Sequence, residues 1–203
     1  MKIVCIGRNY ADHIRELNNA VPTAPVFFLK PETALTRRNG PFRYPPFSGE
    51  IHYETELVLR IGRGGHNIAA EKASDHIDGI GIGLDMTARD LQDAAKSKGL
   101  PWAAAKGFDG SAPVSRFLSP ALFPDHANIG FRLDLNGLTV QQGNSSLMLN
   151  DFSRIISYVS DFMTLRKGDY IFTGTPAGVG PVHRGDLLEA WLENTRMLTC
   201  RVI

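Results

Sequence analysis

Short apolar runs alternate along the chain with turns that contain glycine, proline or asparagine. Runs of this kind predict strands, and the Asn136-Gly137 pair between two of them predicts a hairpin. The expected strands are residues 2–7, 26–30, 54–61, 78–85, the hairpin 128–144, 169–174, 187–194 and 197–203. Most of the chain should therefore be sheet.

Helical periodicity is confined to a few short segments, and the clearest of them, residues 87–99, is closed by Gly99. Six prolines between residues 18 and 50 favour extended and turn structure there. The remaining helices are expected at 9–17, with Asp12 as the N-terminal cap, 69–77 and 151–165. Because strands outnumber helices, the sequence predicts a β-rich α+β fold.

Length and composition restrict the class of protein. With 203 residues, 43% of them hydrophobic, the chain suits a single soluble domain over residues 1–203. The 22 basic and 21 acidic residues nearly cancel, which argues against a nucleic-acid binder, and the pair Arg37-Arg38 should be solvated surface.

No apolar run reaches the ~18 residues of a membrane span, and the N-terminal run is too short for a signal peptide. Cys5 and Cys200 lack metal-motif spacing and should be reduced, so we expect a cytoplasmic protein.

Three carboxylates stand out because their burial should be costly. Glu54 and Glu56 lie two apart in a predicted strand, so they share a face at a distance where like charges repel. Asp85 ends another apolar strand, where an unpaired acid is unfavourable. Three carboxylates without a thiolate suit a hard divalent cation, Mg²⁺ or Mn²⁺ first and Ca²⁺ as a further candidate. From the spacing alone, exposed strand faces or salt bridges are the commoner explanation, so the metal site is a hypothesis at this point.

Polar residues that follow Asp85 in the sequence could have either a functional or an ordinary structural role. Arg89 and Gln92 follow it by four and seven residues, which predicts one shared helical face. They are either donors beside the metal or a helix ion pair with a surface glutamine. Lys106 follows an apolar stretch and is either a partly buried ammonium or a surface lysine with a packed stem.

His13 and Glu16 lie three residues apart in the predicted helix 9–17. An imidazole and a carboxylate can meet on one face at this spacing, as a base and its orienting acid. The same spacing is common by chance.

The glycine-rich segment 174–180 lacks the Gly-Lys-Ser/Thr ending of a P-loop and precedes no predicted helix, which argues against nucleotide binding. Its backbone amides and Thr175 are candidates for holding a carboxylate.

Five stretches of the chain, taken together, resemble the fumarylacetoacetate hydrolase family, and specifically its short acylpyruvate-hydrolase-like members. They occur in family order and span nearly the whole chain. The matching stretches are IGRNYADHIREL, PVFFLKP, IHYETELVLRIG, GIGLDMTARDLQDAAKSKGLPWAAAKGFDGSAPVS and DYIFTGTPAGVG.

The resemblance implies a mixed β-roll or sandwich fold with a few short helices, a catalytic domain that forms a homodimer, and a mobile lid at residues 8–20. It implies that Mg²⁺ or Mn²⁺ is held by Glu54, Glu56 and Asp85. The other implied site residues are the water-activating pair His13 and Glu16, the active-site Lys106, and the substrate contacts Arg89, Gln92 and Thr175.

The activity implied is hydrolysis of a small keto acid, a 3-acylpyruvate such as acetylpyruvate or fumarylpyruvate, through the enolate of pyruvate. His13 would activate the water, while the metal and Lys106 would stabilise the enolate. Oxaloacetate gives the same enolate when it loses CO₂, so an oxaloacetate decarboxylase or keto–enol tautomerase is an alternative. A catalytically silent metal- or dicarboxylate-binding module is disfavoured. Such a module would need only the metal ligands, whereas this sequence also contains His13, Glu16 and Lys106.

Overall fold

The computed structural model describes residues 1–37 and 39–203, so the expectation for the Arg37-Arg38 pair lies outside the described residues. Strands form most of the regular structure and the helices are short, which confirms the predicted β-rich fold class. The strands in these ranges are β1 (Ile3–Gly7), β2 (Val26–Lys30), β3 (Leu35–Arg37), β4 (Ile51–Tyr53), β5 (Thr55–Ile61), β6 (Ile77–Leu84), β7 (Thr87–Ala88), β8 (Ala112–Val114), β9 (Gly130–Leu135), β10 (Leu138–Asn144), β11 (Tyr170–Phe172), β12 (Gly180–Pro181), β13 (Leu187–Leu192) and β14 (Thr195–Arg201).

The helices are α1 (Ala11–Glu16), α2 (Arg89–Ser97), α3 (Ala103–Lys106) and α4 (Phe152–Phe162), with 3₁₀ helices at Glu32–Ala34, Ala70–His76, Pro120–Leu122 and Ser145–Leu147. Among the described residues, no helix is both long enough and apolar enough to cross a membrane.

A seven-stranded sheet with the order β2-β1-β11-β5-β6-β8-β3 is the centre of the fold. A four-stranded sheet, β10-β9-β13-β14, and a three-stranded sheet, β12-β4-β7, complete it. Alternation along β5 sends Leu57 and Leu59 into the larger apolar cluster and Val58 into a smaller one. The central sheet is therefore covered on both faces and forms a rigid support for the residues at its strand ends.

Glycines take the conformations that the sequence suggests. The hairpin of β9 and β10 is confirmed, with φ of 51° at Asn136 and 82° at Gly137, as a type I′ turn requires. In β6, a Cβ atom on Gly83 would lie only 2.7 Å from the ring of Phe172. The glycines of this strand thus let neighbouring strands pack closely against it.

Helix ends differ from the sequence expectations. The prediction of Asp12 as a cap is wrong, because Tyr10 occupies the N-cap position and Asp12 pairs with Arg15 instead. The helix predicted over 87–99 begins only at Arg89, because β7 precedes it and pairs with β4. Tertiary strand pairing therefore overrides the local helical pattern at this point.

The antiparallel pairing of β5 with β6 brings distant parts of the sequence together. Thr55 pairs with Leu84, and the backbone N–H of Asp85 donates to the carbonyl of Glu54 at 2.8 Å. The start of β5 and the end of β6 therefore lie side by side, which places the acidic residues of both strands at one edge.

Candidate metal centre

Glu54, Glu56 and Asp85 form a buried acidic cluster, and one carboxylate oxygen from each lies within 4.8 Å of the other two. None of the three residues is more than 5% exposed. Glu56 belongs to β5 and Asp85 follows β6, whereas Glu54 lies in the one-residue break between β4 and β5. The two glutamates approach each other as the strand spacing predicts, although the strand begins one residue later than expected.

Two of the three carboxylates are neutralised by cations from elsewhere in the chain. Lys106 Nζ lies 2.7 Å from both Glu54 Oε2 and Asp85 Oδ2, and Arg89 Nη2 lies 2.6 Å from Glu54 Oε1. Lys30 Nζ lies 2.8 Å from Asp85 Oδ1. Burial alone would raise the pKa of Glu54, but Lys106 and Arg89 hold it below its usual range.

Glu56 has a different environment. Among the described residues, no cationic side chain lies within ion-pair distance of it, and its Oε2 accepts a hydrogen bond from the Gly174 N–H at 2.7 Å. Burial, together with the charges of Asp85 and Glu54, raises the pKa of Glu56 well above its ordinary value. Glu56 is therefore the carboxylate of the cluster whose ionised form is least stabilised by its direct contacts.

Helix α2 supplies two polar side chains that are already organised. Arg89 Nη1 donates to Gln92 Oε1 at 2.5 Å, which leaves the Gln92 NH₂ group without a partner in the described part of the chain. Arg89 pairs with Glu54, and Asp85 precedes the helix, so the predicted helical face shared with Asp85 is wrong. Gln92 nevertheless keeps donors available for an anionic ligand.

His13 and Glu16 meet on α1, with His13 Nδ1 3.2 Å from Glu16 Oε2. The other Glu16 oxygen accepts a hydrogen bond from the Gly178 N–H at 3.0 Å. His13 is buried, and its Nε2 has no hydrogen-bond partner among the residues that the structure describes. The pair therefore has the arrangement of a base held by an orienting acid.

A small cavity of about 40 Å³ joins these groups. His13 lines it on one side, Gln92 on another, and Glu54 and Lys106 lie at the metal centre. The residues that line it come from segments far apart in the sequence. One cavity thus brings together a candidate base, a buried ammonium, hydrogen-bond donors and a candidate metal ligand.

Comparison with known proteins agrees with this geometry. The family model described as the fumarylacetoacetate hydrolase C-terminal domain matches residues 2–203. The chain belongs to the fumarylacetoacetate hydrolase family. The predicted family is therefore confirmed, and the mixed fold with short helices is that of its members.

Relatives in this family differ in the reaction that their names describe. The mitochondrial oxaloacetate tautomerase FAHD1 of Bos taurus is 44% identical over 200 residues, which cover 98% of this chain and 90% of the relative. The mitochondrial oxaloacetate decarboxylase of Dictyostelium discoideum is 43% identical over 189 residues, 93% of this chain and 87% of the relative. The structure of fumarylpyruvate hydrolase from Pseudomonas aeruginosa, in complex with Mn²⁺ and pyruvate, has a TM-score of 0.95 at 36% identity and covers 100% of this chain and 89% of that one.

The acidic cluster has the composition of a divalent-cation site, and the fumarylpyruvate hydrolase structure, from the same family, contains Mn²⁺. All three side chains offer carboxylate oxygens, which hard divalent ions prefer, and such ions keep further positions for water or a ligand. Asp85 Oδ1 has no hydrogen-bond partner in the described ranges, although Lys30 lies beside it. A cation at this position would also stabilise the ionised form of Glu56, which burial and the neighbouring carboxylates disfavour. The residues present therefore suit Mg²⁺ or Mn²⁺ without choosing between them.

Lys30 contacts the acidic cluster, a role that the sequence did not indicate. It ends β2, is only 1% exposed, and besides Asp85 contacts the Ser111 carbonyl at 3.1 Å and the Ser111 Oγ at 3.0 Å. Its ammonium also donates to the backbone carbonyl of Lys106. A lysine at the end of an apolar run was the available signal, but that pattern equally fits a solvated strand end.

Thr175 does not line the cavity in this structure. Its Oγ1 accepts a hydrogen bond from Gln141 Nε2 at 2.8 Å, and Gln141 Oε1 accepts one from the Thr55 N–H at 2.9 Å. Gln141 therefore ties the loop after β11 to the residue between the two glutamates, a positioning role that the sequence did not suggest. The substrate contact of Thr175 stays a prediction.

Proposed function

We propose that this chain is a divalent-metal-dependent enzyme that interconverts the keto and enol forms of oxaloacetate, with oxaloacetate decarboxylation as a related activity. The main support for the proposal is the buried acidic cluster. Lys106 forms ion pairs with it, and His13 lines the same cavity as Lys106. Two curated relatives named for oxaloacetate reactions, each more than 40% identical, support this order of preference. The hydrolysis that the sequence analysis ranks first becomes the second candidate.

Stabilisation of an enolate is the common requirement of these reactions. A divalent cation held by Glu54, Glu56 and Asp85 would act as a Lewis acid toward the 2-keto oxygen of the substrate. Lys106 holds a fixed positive charge beside the same carboxylates, where the enolate charge develops. The free NH₂ group of Gln92 donates to a substrate carboxylate and orients it.

Tautomerisation moves a proton between C3 and the 2-oxygen of oxaloacetate, so it requires a base that accepts and returns that proton. Enol formation removes a proton from C3 and places one on the 2-keto oxygen, and ketonisation removes the enol O–H proton and places one on C3. His13 suits this role, because Glu16 holds one ring nitrogen and leaves Nε2 free at the cavity. In decarboxylation the C3–C4 bond breaks, CO₂ leaves, and the electron pair forms the enolate of pyruvate. That step needs no base to begin.

Hydrolysis of 3-acylpyruvates is the second candidate, and the hydrogen bond between His13 and Glu16 favours it. A base with an orienting acid can activate water for attack on the distal acyl carbonyl, after which the C–C bond breaks to give the same enolate. The likeness to a fumarylpyruvate hydrolase structure supports this candidate.

The cavity is smaller than an ordinary ligand pocket. Ligand pockets usually enclose about 300 Å³ or more, whereas the cavity here measures about 40 Å³. We therefore propose that residues 8–20 open as a lid, with the Gly178 N–H releasing Glu16. The homodimer, the lack of nucleic-acid and membrane partners, and the cytoplasmic location stay predictions, and the two curated relatives are named as mitochondrial.

Removal of the metal tests the proposed function. Treatment with a chelator should abolish enol-to-keto conversion of oxaloacetate above the rate in protein-free buffer, and added Mg²⁺ or Mn²⁺ should restore it. The enol form absorbs ultraviolet light, so the decay of absorbance measures the rate. Because free metal also promotes the conversion, the control contains the same metal without protein. Full activity after chelation would contradict the proposal, whereas loss and recovery would exclude a catalytically silent binding module.

Replacement of His13 by alanine separates the reactions. Hydrolysis of acetylpyruvate should fall by about 100-fold or more, since a positioned base contributes about 10²–10⁴-fold. Tautomerisation should fall as well, while decarboxylation should keep most of its rate. Parallel assays with a His66→Ala control, at an exposed histidine outside the site, measure this. An equal fall in decarboxylation would show that the proposed division of roles is wrong.

A further inference from the structure

The cavity wall includes a lysine, Lys96, to which the proposed mechanism gives no role. Arg89, Gln92 and Lys96 lie at positions i, i+3 and i+7 of α2, so they share one face of the helix, and all three line the cavity. Side chains on a helix lean toward its N-terminus, which directs Lys96 back toward Gln92. Its ammonium lies 5.7 Å from the centroid of the Trp102 ring, another residue of the cavity wall.

Lys96 has no close anionic partner in the described part of the chain. The nearest carboxylate oxygen, on Asp93, is 3.9 Å away on a side chain that is itself exposed. Partial burial lowers the pKa of Lys96, and the positive charge of Arg89 lowers it further. The charges of Asp93 and Glu54 oppose this lowering without cancelling it, so an incoming anion would stabilise the ammonium further.

Arg8 also lines the cavity and lies three residues before α1 in the sequence. Its φ of 58° is left-handed, a conformation that few residues other than glycine adopt and that is often retained at functional sites. The guanidinium donates to Asn19 Oδ1 at 3.2 Å, and no carboxylate among the described residues lies within ion-pair distance of it. Two cations from different elements therefore converge on one cavity without pairing to an acid there.

The charge of the whole site favours a ligand with more than one negative charge. The three carboxylates of the metal centre are matched by three cations in direct contact, Lys30, Arg89 and Lys106. A divalent cation would add two positive charges to this balanced set. Arg8 and Lys96 add two more, against the carboxylates of Glu16 and of the exposed Asp93, so the positive charge of the bound metal remains in excess.

We propose that Arg8 and Lys96 form a subsite for the second carboxylate of a dicarboxylic keto acid, and that this subsite selects dicarboxylates over monocarboxylic keto acids with apolar tails. Selection then occurs away from the metal centre, whose donors recognise the keto-acid end common to both classes. The substrate class rests on the proposed function. A purely structural role of Lys96, packing α2 against Trp102, predicts no such selection.

Two non-reacting ligands isolate the second carboxylate. (S)-Malate and (S)-2-hydroxybutyrate share a carboxylate and a 2-hydroxyl group, and a methyl group in the second replaces the distal carboxylate of the first. Titration calorimetry on the Mg²⁺-loaded protein should show tighter binding of malate. Lys96→Met should weaken malate binding by about tenfold, as expected for loss of one charge-assisted hydrogen bond, and leave the Kd of 2-hydroxybutyrate unchanged.

Further variants control for a non-specific loss of positive charge and for misfolding. Lys98→Met, at an exposed lysine two residues further along, should leave both Kd values unchanged. Arg8→Met should reproduce the selective loss if Lys96→Met folds poorly, and Lys96→Arg should recover part of it. Equal weakening of both ligands in Lys96→Met, or a wild-type protein that does not prefer malate, would overturn the subsite.

Failure of the subsite and failure of the proposed function give different results. A selective loss of malate binding in a protein that does not convert oxaloacetate would retain the subsite and reject the reaction. Metal-dependent conversion of oxaloacetate without selective loss of malate binding would reject the subsite and retain the proposed reaction.

Discussion

Replacing Glu56 by glutamine is expected to weaken binding of Mn²⁺ by about 100-fold or more, while the metal-free protein unfolds at the same or a higher temperature. Substitution of residues that only support metal ligands already costs about 10–100-fold in affinity, and Glu56 is a candidate ligand itself. Stability should not fall, because its carboxylate is the one that Asp85 and Glu54 repel and no cation contacts it in the described residues. Calorimetric titration with Mn²⁺ and thermal unfolding in chelator measure the two effects.

Glu71→Gln is the matched control, since Glu71 is exposed and lies outside the acidic cluster. It should change neither the affinity for Mn²⁺ nor the unfolding temperature. Wild-type affinity in Glu56→Gln would place the metal elsewhere. A marked loss of stability in that variant would show that Glu56 is not under repulsion in the metal-free protein.

Replacing Lys106 by methionine should lower the rates of tautomerisation, decarboxylation and hydrolysis together, each by about 10²–10³-fold. Loss of one preorganised group that stabilises developing charge typically has an effect of about this size, and all three reactions pass through an enolate. This joint loss differs from the selective loss expected for His13→Ala. Measuring kcat for each reaction in the same metal-loaded preparation provides the comparison.

The Lys106→Met variant also leaves Glu54 and Asp85 with one cation fewer, so its metal-free form should unfold at a lower temperature than wild type. Excess Mg²⁺ should recover part of that stability. Lys72→Met, at an exposed lysine, serves as the control. Near-wild-type decarboxylation by folded Lys106→Met would show that the ammonium does not stabilise the enolate.

Local sequence pattern predicted the parts of the site that lie on one element. Strand alternation places Glu54 and Glu56 on a shared side, and helical spacing brings His13 to Glu16. The end of an apolar strand marks Asp85. Each of these predictions needs only the geometry of a single strand or helix, which residue spacing encodes directly.

Long-range contacts could not be predicted in this way. The burial of Lys30 depends on the loop that carries Ser111, and the pairing of Arg89 with Glu54 depends on β7 delaying the start of α2. Gln141 reaches the site from a separate sheet. Local sequence patterns do not indicate where segments far apart in the chain meet. The cations that neutralise the acidic cluster could therefore be identified only in the folded structure.

The central claim is that oxaloacetate, rather than a 3-acylpyruvate, is the preferred substrate at this metal centre. One preparation loaded with Mg²⁺ should be assayed side by side for oxaloacetate tautomerisation, oxaloacetate decarboxylation, and hydrolysis of acetylpyruvate and fumarylpyruvate. We expect the highest kcat/KM for oxaloacetate tautomerisation. A higher kcat/KM for hydrolysis of either acylpyruvate would contradict it.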